Sequence, residues 1–128
     1  MRLDPGPLQV IPDAFASHGE VMADIAELGF WPTTYVSDRS DEVPLHWHGA
    51  DVCGYVLEGS SYILDADGVR HELRPGTKLV IPAGAVHAEG AVTERMVYVV
   101  ATEPAENLMD VLLPLNAPDA EERPVGAA

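Results

Sequence analysis

From Thr33 to Ala101 short apolar runs alternate with turn residues about every 8 to 12 positions, a beat that leaves a β-sandwich or a β-barrel as the available folds. Thr34-Tyr35-Val36 is β-branched and aromatic, and Ser37-Asp38-Arg39-Ser40-Asp41 makes a polar turn after it. Glu58-Gly59-Ser60 turns into Ser61-Tyr62-Ile63-Leu64. Asp65-Ala66-Asp67-Gly68 then reads as a hairpin loop into Val69-Arg70-His71-Glu72-Leu73. Arg74-Pro75-Gly76 turns again before a strand from Lys78 to Ile81, and the last clear strand runs from Arg95 to Ala101. Eleven Gly and eleven Pro supply the turns this pattern needs.

The flanks differ. Residues 1–12 are Pro-rich and read as an extended arm. A short helix follows, with Ser17 as N-cap and Glu20 three residues later as a capping box. Val21, Met22, Ile25 and Leu28 form its apolar stripe, and Gly29 is its natural stop. Beyond Pro104, Leu108, Met109, Val111, Leu112 and Leu113 fall on helical spacing, and the tail from Asn116 is Pro, Ala and acid. At 128 residues the chain is one structural domain, divided as an N-terminal arm and helix (1–32), a barrel core (33–101) and a C-terminal segment (102–128) packed on the barrel or on a partner.

Charge and cysteine content restrict the partners. A formal charge of −14 repels nucleic acid and anionic membrane surfaces, so neither is expected as a partner. Cys53 is the single cysteine and cannot close an intrachain disulfide. No signal peptide is visible at the N-terminus, and no run approaches the ~18 apolar residues of a membrane span. A cytoplasmic protein is the expectation.

Chemistry concentrates in two stretches. His46 and His48 are two apart, so on an extended strand both imidazoles project from one face, while Trp47 points to the other. A third imidazole, His87, arrives from a later strand just after Pro82-Ala83-Gly84. Three neutral nitrogen donors converging from two strands suit a first-row transition metal held on one side and open on the other. Glu89 shares the parity of His87 and would face the same interior, as a general base, a partner for an imidazole N–H or a further ligand.

These two stretches resemble the signature motifs of the cupins, small jelly-roll barrels. The first motif matches at His46, His48 and the closing Tyr55-Val56-Leu57-Glu58-Gly59; the second runs from Gly76 through Pro82 and Gly84 to His87. The resemblance spans roughly residues 33 to 101 and implies an all-β, antiparallel jelly-roll barrel. Two departures stand out. The family's metal-binding Glu falls at 52 or 53, where this chain has Val52 and Cys53, and the family's Asn falls at Ala91. The resemblance therefore implies a metal site of His46, His48 and His87 alone. Asp51 lies one place early and would reach the metal only if Gly49-Ala50 bulged.

The implied cofactor is one divalent transition metal, iron favoured, with manganese, nickel, zinc and copper compatible with imidazole ligands. The implied function is a non-haem iron dioxygenase acting on a small chelating organic substrate. A metal-dependent isomerase or lyase, or a non-catalytic ligand-binding module, are the alternatives. A homodimer is expected from the family and the Pro-rich arm. His18 and His71 read as surface residues, Trp47 as packing or interface, and Cys53 as a buried small apolar residue. Tyr35, Tyr55 and Tyr98 are candidates to line the cavity.

Overall fold

The computed structural model describes residue 3, residues 6–103 and residues 115–116, with Tyr35, Leu115 and Asn116 described by their backbone alone. The elements are β1 (Gln9–Ile11), α1 (His18–Leu28), β2 (Trp31–Ser37), β3 (Val43–Trp47), β4 (Val52–Glu58), β5 (Ser61–Leu64), β6 (Arg70–Leu73), β7 (Lys78–Ile81), β8 (His87–Glu89), β9 (Met96–Thr102) and β10 (Leu115–Asn116). They form two five-stranded sheets, ordered β1-β7-β4-β9-β2 and β10-β3-β8-β5-β6, with every assigned pairing antiparallel. This is the expected jelly roll.

Two apolar layers hold it. Val52, Val56, Ile63, Leu73, Ile81 and Met96 come from strands of both sheets and form the core between them. Cys53, Tyr55, Val99 and Ala101 belong to the opposite parity of β4 and β9 and pack under α1 with Val21, Ile25 and Phe30. Thus β4 is covered on both faces, which explains its nearly unbroken apolar run.

The helix obeys its end signals. Ser17 accepts from the Glu20 N–H, the Glu20 carboxylate accepts from the Ser17 N–H, and Gly29 stops the helix in the left-handed region at φ 72°. The buried stripe is narrower than the sequence suggests. Val21 and Ile25 are buried, but Met22 is 44% exposed, because a residue next to Val21 is turned about 100° away from the stripe.

Other expectations shift in detail. The Pro-rich arm contributes β1, which pairs with β7 through Gln9–Val80, Val10–Leu79 and Ile11–Lys78. The second strand starts at Trp31, two residues before the expected barrel boundary, and the last long strand runs one residue later than read. The C-terminal helix expected around Leu108–Leu113, and the tail beyond Asn116, lie outside the described residues. Among the described residues no helix is long and apolar enough to cross a membrane.

Candidate metal centre

His46 lies near the end of β3, His48 follows that strand, and His87 opens β8; Cα register places His46 directly opposite His87. One potential ligand atom from each of the three imidazoles lies within 4.8 Å of the others. His46 and His87 are buried and His48 is half-buried. The sequence-derived trio is therefore brought to one point.

Backbone carbonyls set the imidazole orientation. His46 Nδ1 lies 2.7 Å from the Pro44 carbonyl oxygen, and His87 Nδ1 lies 2.9 Å from that of Ala85. A carbonyl can only accept, so each Nδ1 carries the proton and each Nε2 keeps its lone pair. His87 Nε2 is buried and has no hydrogen-bond partner among the described residues. An orphaned buried acceptor facing two other imidazoles fits a metal ion. Burial, and then the neighbouring His46 and His48, push the His87 pKa down to about 3, so this imidazole is in its ligand form at neutral pH.

Asp51 is not among these ligands. It is buried, and its Oδ1 accepts from the Ala83 N–H at 2.8 Å while Oδ2 accepts from the Leu3 N–H at 3.0 Å. Backbone donors occupy the carboxylate that a bulge at Gly49-Ala50 would have had to aim at the metal. Val52 is buried in the core between the sheets, so the place of the family's carboxylate is apolar.

Glu89 closes β8 as an exposed residue and does not share the burial of His87, although it lines a cavity at this end of the barrel. It lies opposite Val43 on one side and the fully buried Ile63 on the other. Its side chain is open to a cavity of about 130 Å³, so it is water-accessible although barrel atoms crowd it. That crowding raises its pKa above the usual carboxylate range, against the opposing pull of His46. The cavity is otherwise lined by Ser37, Ser40, Ser61, Tyr62, Tyr98 and aliphatic side chains, with no basic residue among the described ones. The three imidazoles are not part of that lining. Sequence reasoning missed the three serines, which close β2 (Ser37), bridge to Val92 (Ser40) and open β5 (Ser61) and carry no motif.

The remaining candidates divide. Tyr98 lines the cavity, but Tyr55 does not: it sits under α1, where its hydroxyl donates to Asp24 at 2.5 Å and Phe15 packs edge-on at 6.0 Å. The side chain of Tyr35 is outside the described residues. Trp47 is buried at 3% exposure, Cys53 is fully buried with its thiol pushed up to about 11 by desolvation, and His18 is exposed. His71 is half-buried and not simply solvent-facing, because its Nε2 meets the Asp65 carboxylate at 3.0 Å.

A jelly roll with three imidazoles converging from two antiparallel strands defines a small barrel protein built around a possible metal site. The chain belongs to the cupin family: the cupin domain model matches residues 36–102. No curated protein sequence matches the chain. Among solved structures it is similar to the DMSP lyase DddQ of Ruegeria pomeroyi, at TM-score 0.56 and 18% identity, covering 70% of this chain and 43% of the lyase. A putative mannose-6-phosphate isomerase of Ralstonia eutropha is similar at TM-score 0.52 and 19% identity, covering 76% of this chain and 86% of that one. A salicylate 1,2-dioxygenase of Pseudaminobacter salicylatoxidans gives TM-score 0.50 and 12% identity, covering 59% of this chain and 21% of the dioxygenase. The chain thus spans less than half the length of the lyase and of the dioxygenase. At these identities the likeness is one of fold.

Proposed function

We propose that this cupin is a metal-dependent enzyme acting on a small chelating organic molecule, with His46, His48 and His87 as metal ligands and Glu89 as the proton acceptor. The observation that carries the reading is the convergence of three imidazole donors within 4.8 Å. A divalent metal held there, iron favoured, supplies Lewis acidity undiminished by an anionic ligand and, with iron, access to dioxygen chemistry.

The chain's own residues do the rest. The carbonyls of Pro44 and Ala85 hold the rings of His46 and His87 in one tautomer. Glu89, its basicity raised by its surroundings, takes a proton from a substrate that binds as an enolate, thiolate or phenolate. The cavity volume of about 130 Å³ approaches the roughly 150 Å³ that admits benzene in an apolar site, so the buried part of the substrate is small. With one carboxylate and no basic side chain among the described residues of the wall, that buried part is not anionic.

Dioxygenase chemistry is the first reading, because a neutral ligand set suits a substrate that arrives as a chelating anion. Isomerase or lyase chemistry is the second, supported by Glu89, a carboxylate in the cavity wall whose proton transfer needs no dioxygen. The test is metal analysis of the purified protein, then turnover of small diketones, thiols and hydroxylated aromatics with and without oxygen. Oxygen consumption by iron-loaded protein supports the first reading, and anaerobic product formation supports the second. In both, Glu89→Gln should keep its metal and lose about 100-fold in kcat. A protein that retains no divalent metal overturns the proposal.

A further inference from the structure

We propose that Asp51 is a positioning residue of the metal centre: its carboxylate clips the Pro82–Ala85 turn in the place from which His87 and His48 aim at one point. The inference rests on the reading that the three imidazoles take a metal.

The turn is defined by its own bonds. Ala85 N–H donates to the Pro82 carbonyl at 3.0 Å and Gly84 has φ 84°, which together describe a type II turn with Ala83 at its second position. Each of its last three residues is tied to the site. Ala83 N–H donates to Asp51 Oδ1 at 2.8 Å. Gly84 N–H donates to the backbone carbonyl of His48 at 2.9 Å. Ala85 accepts from His87 Nδ1 at 2.9 Å. One three-residue segment therefore fixes the ring of one ligand and the backbone of another, and Asp51 is what the segment hangs from.

Asp51 is itself anchored. Thr102 Oγ1 donates to its carbonyl at 3.1 Å, its N–H donates to Glu103 Oε1 at 3.3 Å, and Leu3 N–H holds the second carboxylate oxygen at 3.0 Å. Bonds from backbone N–H to a buried carboxylate are among the stronger ones, and partners one step removed from a metal control ligand aim. Asp51 joins the N-terminal arm and the ligand turn through its carboxylate, and the end of β9 through its backbone.

The experiment is zinc titration of the full chain in competition with a chromogenic chelator, together with the visible absorption of the cobalt-loaded protein as a report of ligand geometry. Asp51→Ala should weaken zinc binding at least about tenfold and alter the cobalt spectrum. Asp51→Asn keeps an oxygen for the Ala83 N–H and should stay within about threefold of wild type. Ala83→Pro suits the second position of a type II turn and deletes the one donor in question. It should match the Asp51→Ala loss, and the double variant should be no worse than the poorer single one.

Zinc binding within threefold of wild type in Asp51→Ala or Ala83→Pro would overturn the inference, as would an equal loss in Asp51→Asn. Should Asp51→Ala not fold, Ala83→Pro and Asp51→Asn decide by the same thresholds. A wild-type chain that takes up no zinc overturns the metal-site reading and this inference with it. Wild-type binding left intact by the variants overturns this inference alone.

Discussion

His46 and His87 face each other across β3 and β8 as a direct cross-strand pair, their ring centroids 4.2 Å apart. Two imidazoles at that separation cannot both take a proton cheaply, and the electrostatic effect of His46 is one reason His87 is held neutral.

A pH dependence follows. The folded pKa of His87, about 3, lies below its unfolded value near 6.5, so between these limits the unfolded chain binds more protons. Stability is therefore full above about pH 6.5 and falls as pH drops through the window. A single histidine so placed costs up to about 2 kcal/mol between pH 6.5 and 5. Urea unfolding of metal-free protein across that range checks it. His87→Leu, which removes the titrating group, should flatten the slope, and an unchanged slope in that variant would refute the assignment.

Val52→Glu should separate two effects that wild type combines. The new carboxylate enters the core between the sheets, where an uncompensated charge is strongly unfavourable, so the metal-free variant should melt well below wild type. Zinc should bind it at least as tightly as wild type and restore part of the lost melting temperature. A variant stabilised no more by zinc than wild type would place position 52 out of reach of the metal.

Two glycines with nearly equal φ should respond very differently to alanine. Gly59, at φ 81°, would put a Cβ 2.9 Å from Met96 Cα and against the Arg95 carbonyl oxygen; Gly68, at φ 79°, would meet nothing within 4 Å. Gly68→Ala carries only the left-handed penalty of about 1–2 kcal/mol. Gly59→Ala adds a clash with backbone and should cost more than about 3 kcal/mol or prevent folding. Denaturation midpoints of the two variants provide the comparison.

The α1 face has its own test. Tyr55 donates to Asp24 at 2.5 Å, and Lys78 Nζ approaches the same carboxylate at 2.6 Å. Tyr55→Phe removes one hydrogen bond and no apolar contact, so a loss of about 1–2 kcal/mol is expected, with metal affinity unchanged. A change in zinc affinity would link this outer layer to the metal centre.

Parity arguments worked where a strand has one face to explain. The His46, His48 and His87 cluster was legible because alternate residues on a strand share a side, and the Ser17 and Gly29 end signals of the helix act within a single turn of chain. Tyr55 was misplaced because β4 is apolar on both faces, so nothing in Val-Cys-Gly-Tyr-Val marks which side is interior. Asp51 was harder still. It precedes a strand, where parity has no force, and its partners are N–H groups 48 and 32 residues away in sequence. Every amino acid but proline carries that donor, so composition cannot announce it.

The pairing of β3 with β8 has a kinetic consequence. His46 and His87 are 41 residues apart, and β2 meets β9 at Trp31 and Thr102, 71 residues apart. Among the described residues only the β5–β6 hairpin around Asp65–Gly68 closes over a short loop. Chains dominated by distant pairings cross their folding barrier slowly, on the order of milliseconds to seconds. His87 meets His46 and His48 only once β8 pairs with β3, so capture of an ion by all three belongs to the end of folding, and added ion should slow unfolding far more than it hastens refolding.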